Sequence, residues 1–229
     1  MATTDLLPLA APLRVIRIES LPFGENTYVV AAADAPACAI VDPGFEPDAI
    51  VTAVEAHGLE PAMILLTHGH SDHIAGCGAI RERWPGVPIL VGRLDADKLT
   101  DPVGNLSAPF GLPFTAPPAD RLLDDGDVVA CGPLRFEVRD LPGHSRGHVV
   151  FLVEGVQPPV VLGGDVLFAG SIGRTDFVDG DFATLEAGIR DRLYTLPDTT
   201  LVLPGHGEPT TVGQERRHNP FVSGRGAPD

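Results

Sequence analysis

The chain has 229 residues, of which 44% are hydrophobic and 21% charged, a balance that supports a folded core and argues against disorder. Its formal charge is -15 and Lys98 is its one lysine, so a strongly acidic surface argues against nucleic-acid or membrane partners. Cys38, Cys77 and Cys131 are odd in number and widely spaced, which argues against a paired disulfide framework or a cysteine zinc site and suggests three small buried residues.

Met1 to Pro12 carries no basic segment ahead of its short Leu/Ala/Pro stretch. No apolar run is long enough to span a bilayer, and a cytoplasmic location is expected. Arg14 to Ile18, Thr27 to Ala31 and Ala37 to Val41 then read as short strands of an antiparallel meander, separated by turn residues such as Pro22, Gly24 and Asp34. Asp42-Pro43-Gly44 ends the third strand. From Pro47 to His57 the apolar positions recur at helical spacing, and Gly58 closes the segment.

Ala62 to Leu66 is an apolar run too short for a helix and reads as a buried strand that stops at Thr67. A short helix over Ile74 to Trp84 and a strand over Val87 to Val91 follow. Leu94 to Asp120 is crowded with proline and glycine and reads as a long functional or mobile loop, with Phe110 and Phe114 available to wall a pocket. Short strands return at Val128-Val129, Leu134 to Val138, Val149 to Val153 and Val160 to Leu162. A helix over Phe182 to Leu193 and a last buried strand over Thr200 to Leu203 complete the pattern. Two meanders, each followed by helices, suggest an α/β sandwich of two halves. The chain reads as one domain over 1–229, with loose tails at 1–12 and 222–229.

Five of the eight histidines, His68, His70, His73, His144 and His206, follow a strand or sit in a glycine-bounded turn. Strand ends are places where a rigid scaffold can aim several side chains at one point. In Thr67-His68-Gly69-His70-Ser71-Asp72-His73, a turn leaving the strand lets His68 and His70 converge on one cation while Asp72 and His73 face a second. Imidazole with carboxylate suits zinc, and also iron or manganese. Further donors are available in Gly143-His144, Gly164-Asp165 and Gly205-His206, each after a strand-like run. His148 is placed to orient a ligand or cap a buried carbonyl, and His57 and His218 lie outside any such turn.

This set of motifs resembles the metallo-β-lactamase superfamily along most of the chain. The resemblance implies a four-layer αβ/βα sandwich with two divalent metal ions, zinc by preference, at one edge of the two sheets. It implies one metal at His68, His70 and His144, another at Asp72, His73 and His206, and a bridge at Asp165. Asp72 would also orient the attacking water. An aspartate at the bridge, Gly173 to Phe177 and Glu215 to Phe221 resemble the small bacterial branch of the glyoxalase II, or hydroxyacylglutathione hydrolase, type. The implied activity is hydrolysis of a small thioester such as S-D-lactoylglutathione.

Gly173 to Phe177 also resembles persulfide dioxygenases, which implies as the alternative a single iron at His68, His144 and Asp165. A lactonase or β-lactamase-like hydrolase is a third possibility. Arg174 could hold a substrate carboxylate through its bidentate fork, or pair with Asp176 or Asp179. The sequence departs from the longer glyoxalase II type by carrying Arg174 and Asp176 in place of a lysine and a tyrosine, and by ending shortly after Pro220. A small-molecule substrate is expected, and monomer and homodimer stay open.

Overall fold

A computed structural model describes residues 2–9 and 12–223. The first sheet runs in the order of its strands, β1 (Thr3–Leu6), β2 (Leu13–Ser20), β3 (Glu25–Ala32), β4 (Ala37–Val41), β5 (Glu60–Leu66), β6 (Ile89–Gly92) and β7 (Arg121–Leu123). Its first half is antiparallel. From β4 onward the strands are parallel, because α1 (Pro47–Ala56), then α2 (Ser71–Ile74) and α3 (Cys77–Arg83), and last the 3-10 helix Arg93–Thr100 with the loop after it return the chain between them.

The second sheet has the order β15 (Thr210–Thr211), β14 (Leu201–Pro204), β11 (Val160–Gly164), β10 (Val149–Val153), β9 (Leu134–Asp140) and β8 (Val128–Cys131). Only β11 and β14 are parallel in it, joined through α4 (Phe182–Gly188) and the π-helical turn Ile189–Leu193. A two-stranded hairpin of β12 (Leu167–Phe168) and β13 (Ser171–Ile172) and the final α5 (Val212–His218) complete the chain.

Side-chain alternation explains the layering. Val15, Tyr28, Val30, Ala39, Val41 and Leu65 face inward from the first sheet and pack against Phe136, Val138, Phe151 and Leu162 of the second. Their neighbours one residue along, such as Ile16, Val29, Ile40 and Ile64, face outward onto Ile50, Val54, Ile74 and Ile80 of the helices. On the far side Val150, Val161 and Val202 meet Leu185, Ile189 and Val212. The result is the helix, sheet, sheet, helix order of the metallo-β-lactamase sandwich expected from the motifs. Because β4, β5, β9, β11 and β14 run so that their C-terminal ends share one edge, every metal-donor turn opens there.

Several local expectations need correction. The segment expected as a loose tail at 1–12 contains β1, whose Thr3 to Leu6 pair with Glu19 to Ile16, since an edge strand is secured by backbone hydrogen bonds that leave no apolar pattern. At the other end Val222 is fully buried and Asn219 Oδ1 accepts from the Phe221 and Val222 N–H groups, while 224–229 lie outside the described residues. The single helix read over Ile74 to Trp84 is two, because Gly76 N–H donates to Pro43 O instead of continuing one helix. Arg93–Thr100, read as the start of a loop, is a 3-10 helix. Residues 212–218 also form a helix, started by Thr211, whose side chain accepts from Gln214 N–H. Among the described residues no helix is long and apolar enough to cross a membrane.

The three cysteines are free and buried. Burial pushes the thiols of Cys38 and Cys131 up to about 12 and about 11, so neither is a nucleophile near neutral pH.

Candidate metal centre

The strand ends deliver three overlapping donor sets: His68, His70 and His144; Asp72, His73 and His206; and Asp42, His68 and His73. All three come from the edge where β4, β5, β9, β11 and β14 stop. His68, His73 and His144 are buried, and Asp72 and His206 form the more open side.

Hydrogen bonds decide which ring nitrogen faces the centre. The Thr67 hydroxyl donates to Asp42 Oδ2 at 2.7 Å and therefore accepts from His68 Nδ1 at 3.1 Å. His73 Nδ1–H donates to Asp42 Oδ2 at 3.1 Å, His144 Nδ1–H to Arg174 O at 2.8 Å and His206 Nδ1–H to Phe23 O at 3.2 Å. Each of these rings is left with its lone pair on Nε2, aimed inward. His70 is reversed, with Nδ1 facing His144 Nε2 at 2.9 Å.

Asp165 lies between the first two sets. Its Oδ2 is 3.5 Å from His144 Nε2 and 3.5 Å from His206 Nε2, and its Oδ1 is 3.5 Å from His73 Nε2. Asp72 Oδ2 is 3.3 Å from His206 Nε2 and 3.9 Å from His73 Nε2. Ligands around one tetrahedral zinc are separated by roughly 3.4 Å, given metal–ligand bonds of about 2.0–2.1 Å. The buried Nε2 atoms of His68 and His73 and the buried Asp165 Oδ1 have no hydrogen-bond partner in the protein. Buried polar atoms are normally paired, so orphaned donors at coordination spacing fit a metal.

Charge polarises the cluster. Burial, reinforced by neighbouring rings, holds His68 and His70 well below the usual histidine range. For His73 burial acts in the same direction but is outweighed by Asp165 and Asp72, and its pKa is raised. Asp165 is held well below the carboxylate range, because His206 and His73 outweigh burial. His68 and His70 are therefore in the uncharged form that binds a cation, whereas His73 and His206, in both of which burial is outweighed by Asp165 and Asp72, would release a proton when a metal binds.

His148 stays out of the donor sets. Its Nε2 accepts from the Asp165 N–H at 3.0 Å, and its ring stacks on His68 at 4.9 Å. That approach needs Gly164 next door, since a Cβ there would sit 2.3 Å from Thr67 Oγ1 and 2.7 Å from His148 Nε2, at φ +48°. Arg174 lies at the rim, bound through two nitrogens to Asp176 at 2.9 and 2.8 Å and stacked 4.5 Å over Phe177. His57 and His218 belong to none of the three donor sets.

Three supports escaped the sequence reading. Asp42 accepts from Thr67 N–H and Thr67 Oγ1, both at 2.7 Å, as well as from His73. The Asp-Pro-Gly that ends a strand was its visible sign. Asp95, fully buried, accepts from Gly69 N–H at 2.9 Å and Gly147 N–H at 2.8 Å and bonds the Ser145 hydroxyl, tying the His68-Gly69-His70 turn to the His144 turn. Lys98 reaches the same hydroxyl and Asp179, the latter at 2.6 Å. No motif marks the 3-10 helix that carries Asp95 and Lys98. Replacing Asp95 by Asn keeps the shape but turns one acceptor into a donor facing N–H groups. Asp95→Asn should lower metal affinity about 10- to 100-fold, as loss of a residue that orients ligands does; competition with a chromophoric chelator would measure it, and unchanged affinity would show the clamp to be idle.

The cavity over the donors is about 280 Å³ and is walled by Phe23, Leu106, Phe110, Phe168 and Phe177. Phe114, expected with them, instead packs edge-on against Phe45 at 5.8 Å.

A four-layer sandwich with a histidine and aspartate cluster at the shared strand edge defines a metal-binding hydrolase class. Residues 21–206 match the metallo-β-lactamase superfamily, and the chain belongs to it. It is 40% identical to the probable metallo-hydrolase YqgX of Bacillus subtilis, over 89% of this chain and 94% of that protein. It is 38% identical to the hydroxyacylglutathione hydrolase GloC of Haemophilus influenzae, over 92% of this chain and 100% of that protein. Among solved structures, the BLEG-1 B3 metallo-β-lactamase superposes with a TM-score of 0.85 at 38% identity, covering 91% of this chain and 99% of that one. TTHA1623 in a di-iron-bound form gives 0.78 at 38%, covering 90% and 99%. ETHE1 from Myxococcus xanthus gives 0.76 at 28%, covering 92% and 84%. The protein is thus a metallo-hydrolase whose donor cluster suggests a dinuclear site.

Proposed function

We propose that the protein hydrolyses a small thioester at a two-metal centre with zinc as the resident ion, with S-D-lactoylglutathione as the reference substrate for assay. The observation that carries this reading is the completeness of the second donor set: His206 Nε2 lies 3.3 Å from Asp72 Oδ2 and 3.5 Å from the Asp165 carboxylate that also reaches His144. A mononuclear iron site would use only His68, His144 and Asp165 and leave Asp72, His73 and His206 converging on nothing. The likeness to a hydroxyacylglutathione hydrolase supports the thioester, and three nitrogen donors in one set support zinc.

His68, His70 and His144 would hold one ion and Asp72, His73 and His206 the other, with Asp165 between them. When bound, the ions supply a hydroxide at neutral pH and a Lewis acid for the carbonyl oxygen. The protein's part is positional. Asp72, on the open side of the site, orients the attacking water through its carboxylate. His148 fixes the Asp165 backbone, and the apolar walls seat the acyl group and exclude bulk water. A thiol with pKa of about 8.5 leaves as thiolate without a protein acid.

Elemental analysis of the purified protein, run beside hydrolysis of S-D-lactoylglutathione and of a β-lactam and oxygen uptake with glutathione persulfide, tests the proposal. About two metals per chain with thioester cleavage is the expected result. One iron with oxygen consumption would overturn it, and β-lactam cleavage without thioester cleavage would move it to the lactamase class. His206→Ala should lower the metal content to about one per chain and slow hydrolysis about 100-fold, the cost of losing one charge-stabilising centre. Full metal and full activity in that variant would refute the two-metal assignment.

A further inference from the structure

Resting on the thioesterase reading, we infer that the preferred substrate is an apolar acyl thioester of an uncharged thiol, and that Asp176 disfavours carriers bearing a carboxylate, glutathione among them.

Above the metal donors, the cavity is lined by Phe23, Leu106, Phe110, Phe168 and Phe177, with Ser71 and Arg174 beside them. A hydroxylated acyl group such as lactoyl gains little from such walls, whereas each methylene buried there contributes favourably. Arg174 is the one lysine or arginine among the residues lining this cavity. Its fork is occupied: Nε and one terminal nitrogen donate to the two oxygens of Asp176, at 2.9 and 2.8 Å. That bidentate face is the one a substrate carboxylate would need.

Across Leu106 lies a second hollow of about 290 Å³, which contains Lys98 and Arg146. Both are already matched. Lys98 Nζ is 2.6 Å from Asp179 and 3.4 Å from Asp95, and Arg146 reaches Asp97 at 3.5 Å and Leu94 O at 3.0 Å. Asp101 adds a further acid to the same hollow. A carboxylate at the rim of the donor cavity therefore meets Arg174 already paired with Asp176, and in the adjacent hollow Lys98 is buried on Asp179 and Arg146 lies 3.5 Å from Asp97, on a chain of net charge -15. The Arg174 and Asp176 side chains are 61% and 67% exposed, so their pairing adds little to stability. Its consequence lies in what Arg174 is prevented from binding.

The test compares hexanoyl and lactoyl thioesters of N-acetylcysteamine, which is neutral, with the same acyl groups on glutathione, using the metal-loaded protein. The hexanoyl N-acetylcysteamine ester should show the higher kcat/KM by about tenfold. Raising the salt to about 0.5 M should raise kcat/KM for the glutathione esters and leave the neutral esters unmoved, because screening weakens like-charge repulsion. Asp176→Ala frees Arg174 and should raise the ratio of glutathione to N-acetylcysteamine activity about fivefold, equal to about 1 kcal/mol. A wild-type preference for the glutathione ester, or an unchanged ratio in the variant, overturns the inference while thioester hydrolysis stands. Cleavage of neither series would instead refute the thioesterase reading, and this inference with it. The comparison of carriers and the salt dependence need only the wild-type protein, so they decide the matter even if the variant fails to fold.

Discussion

Asp165→Asn should cost the protein at least half of its bound metal and lower kcat/KM about 100- to 1000-fold, the loss of several kcal/mol of charge stabilisation. The reason is geometric. One oxygen of Asp165 is 3.5 Å from His73 Nε2 while the other is 3.5 Å from both His144 Nε2 and His206 Nε2, so a single carboxylate serves both donor sets. An amide of the same shape carries no charge and turns an N–H toward nitrogens whose lone pairs already point inward. The Asp165 backbone N–H would still donate to His148, so the fold at the strand end should survive. Elemental analysis with steady-state kinetics on a folded variant checks this. Two retained metals and near-normal rates would show that Asp165 does not bridge.

Asp42→Ala should destabilise the protein by about 3–5 kcal/mol, the range for removing one partner of a buried charged network. Asp42 is 2% exposed and accepts from the Thr67 N–H, the Thr67 hydroxyl and His73 Nδ1. Its loss leaves a buried backbone N–H unpaired at the root of the ligand turn, and frees His68 and His73 to choose the other tautomer. Asp42 also sits at φ +49°, a conformation that asparagine tolerates better than alanine. Asp42→Asn should therefore lose clearly less stability than Asp42→Ala. Urea unfolding of both variants measures the difference; equal losses would mean that the backbone conformation does not contribute.

The layered architecture was legible because alternation along each strand is a local pattern. Val29 and Val30 are both apolar, and a strand apolar on both faces must be covered twice, which calls for sheet on one side and helix on the other. The strands that escaped notice, β1, β7, β12, β13 and β15, have two to four residues each and are secured by backbone pairing rather than by an apolar rhythm. In the long loop the placement of the aromatics was half legible. Phe110 lines the cavity, but Phe114 turns to Phe45, and nothing nearby in the chain distinguishes them.

The donor inventory is a local property of the chain, since His68, His70, Asp72 and His73 share one turn and the glycines beside His144, Asp165 and His206 mark the other turns. The family and fold class followed from those same residues. Which ring nitrogen faces inward, the bracing of the ligand turns by Asp42 and Asp95, and the pairing of Lys98 with Asp179 arise from packing between distant segments. Those outcomes depend on contacts such as Thr67 with Asp42, 25 positions apart, and Lys98 with Asp179, 81 apart. Local pattern names the groups that can do chemistry, but burial and long-range hydrogen bonding set their tautomer, charge and freedom to bind.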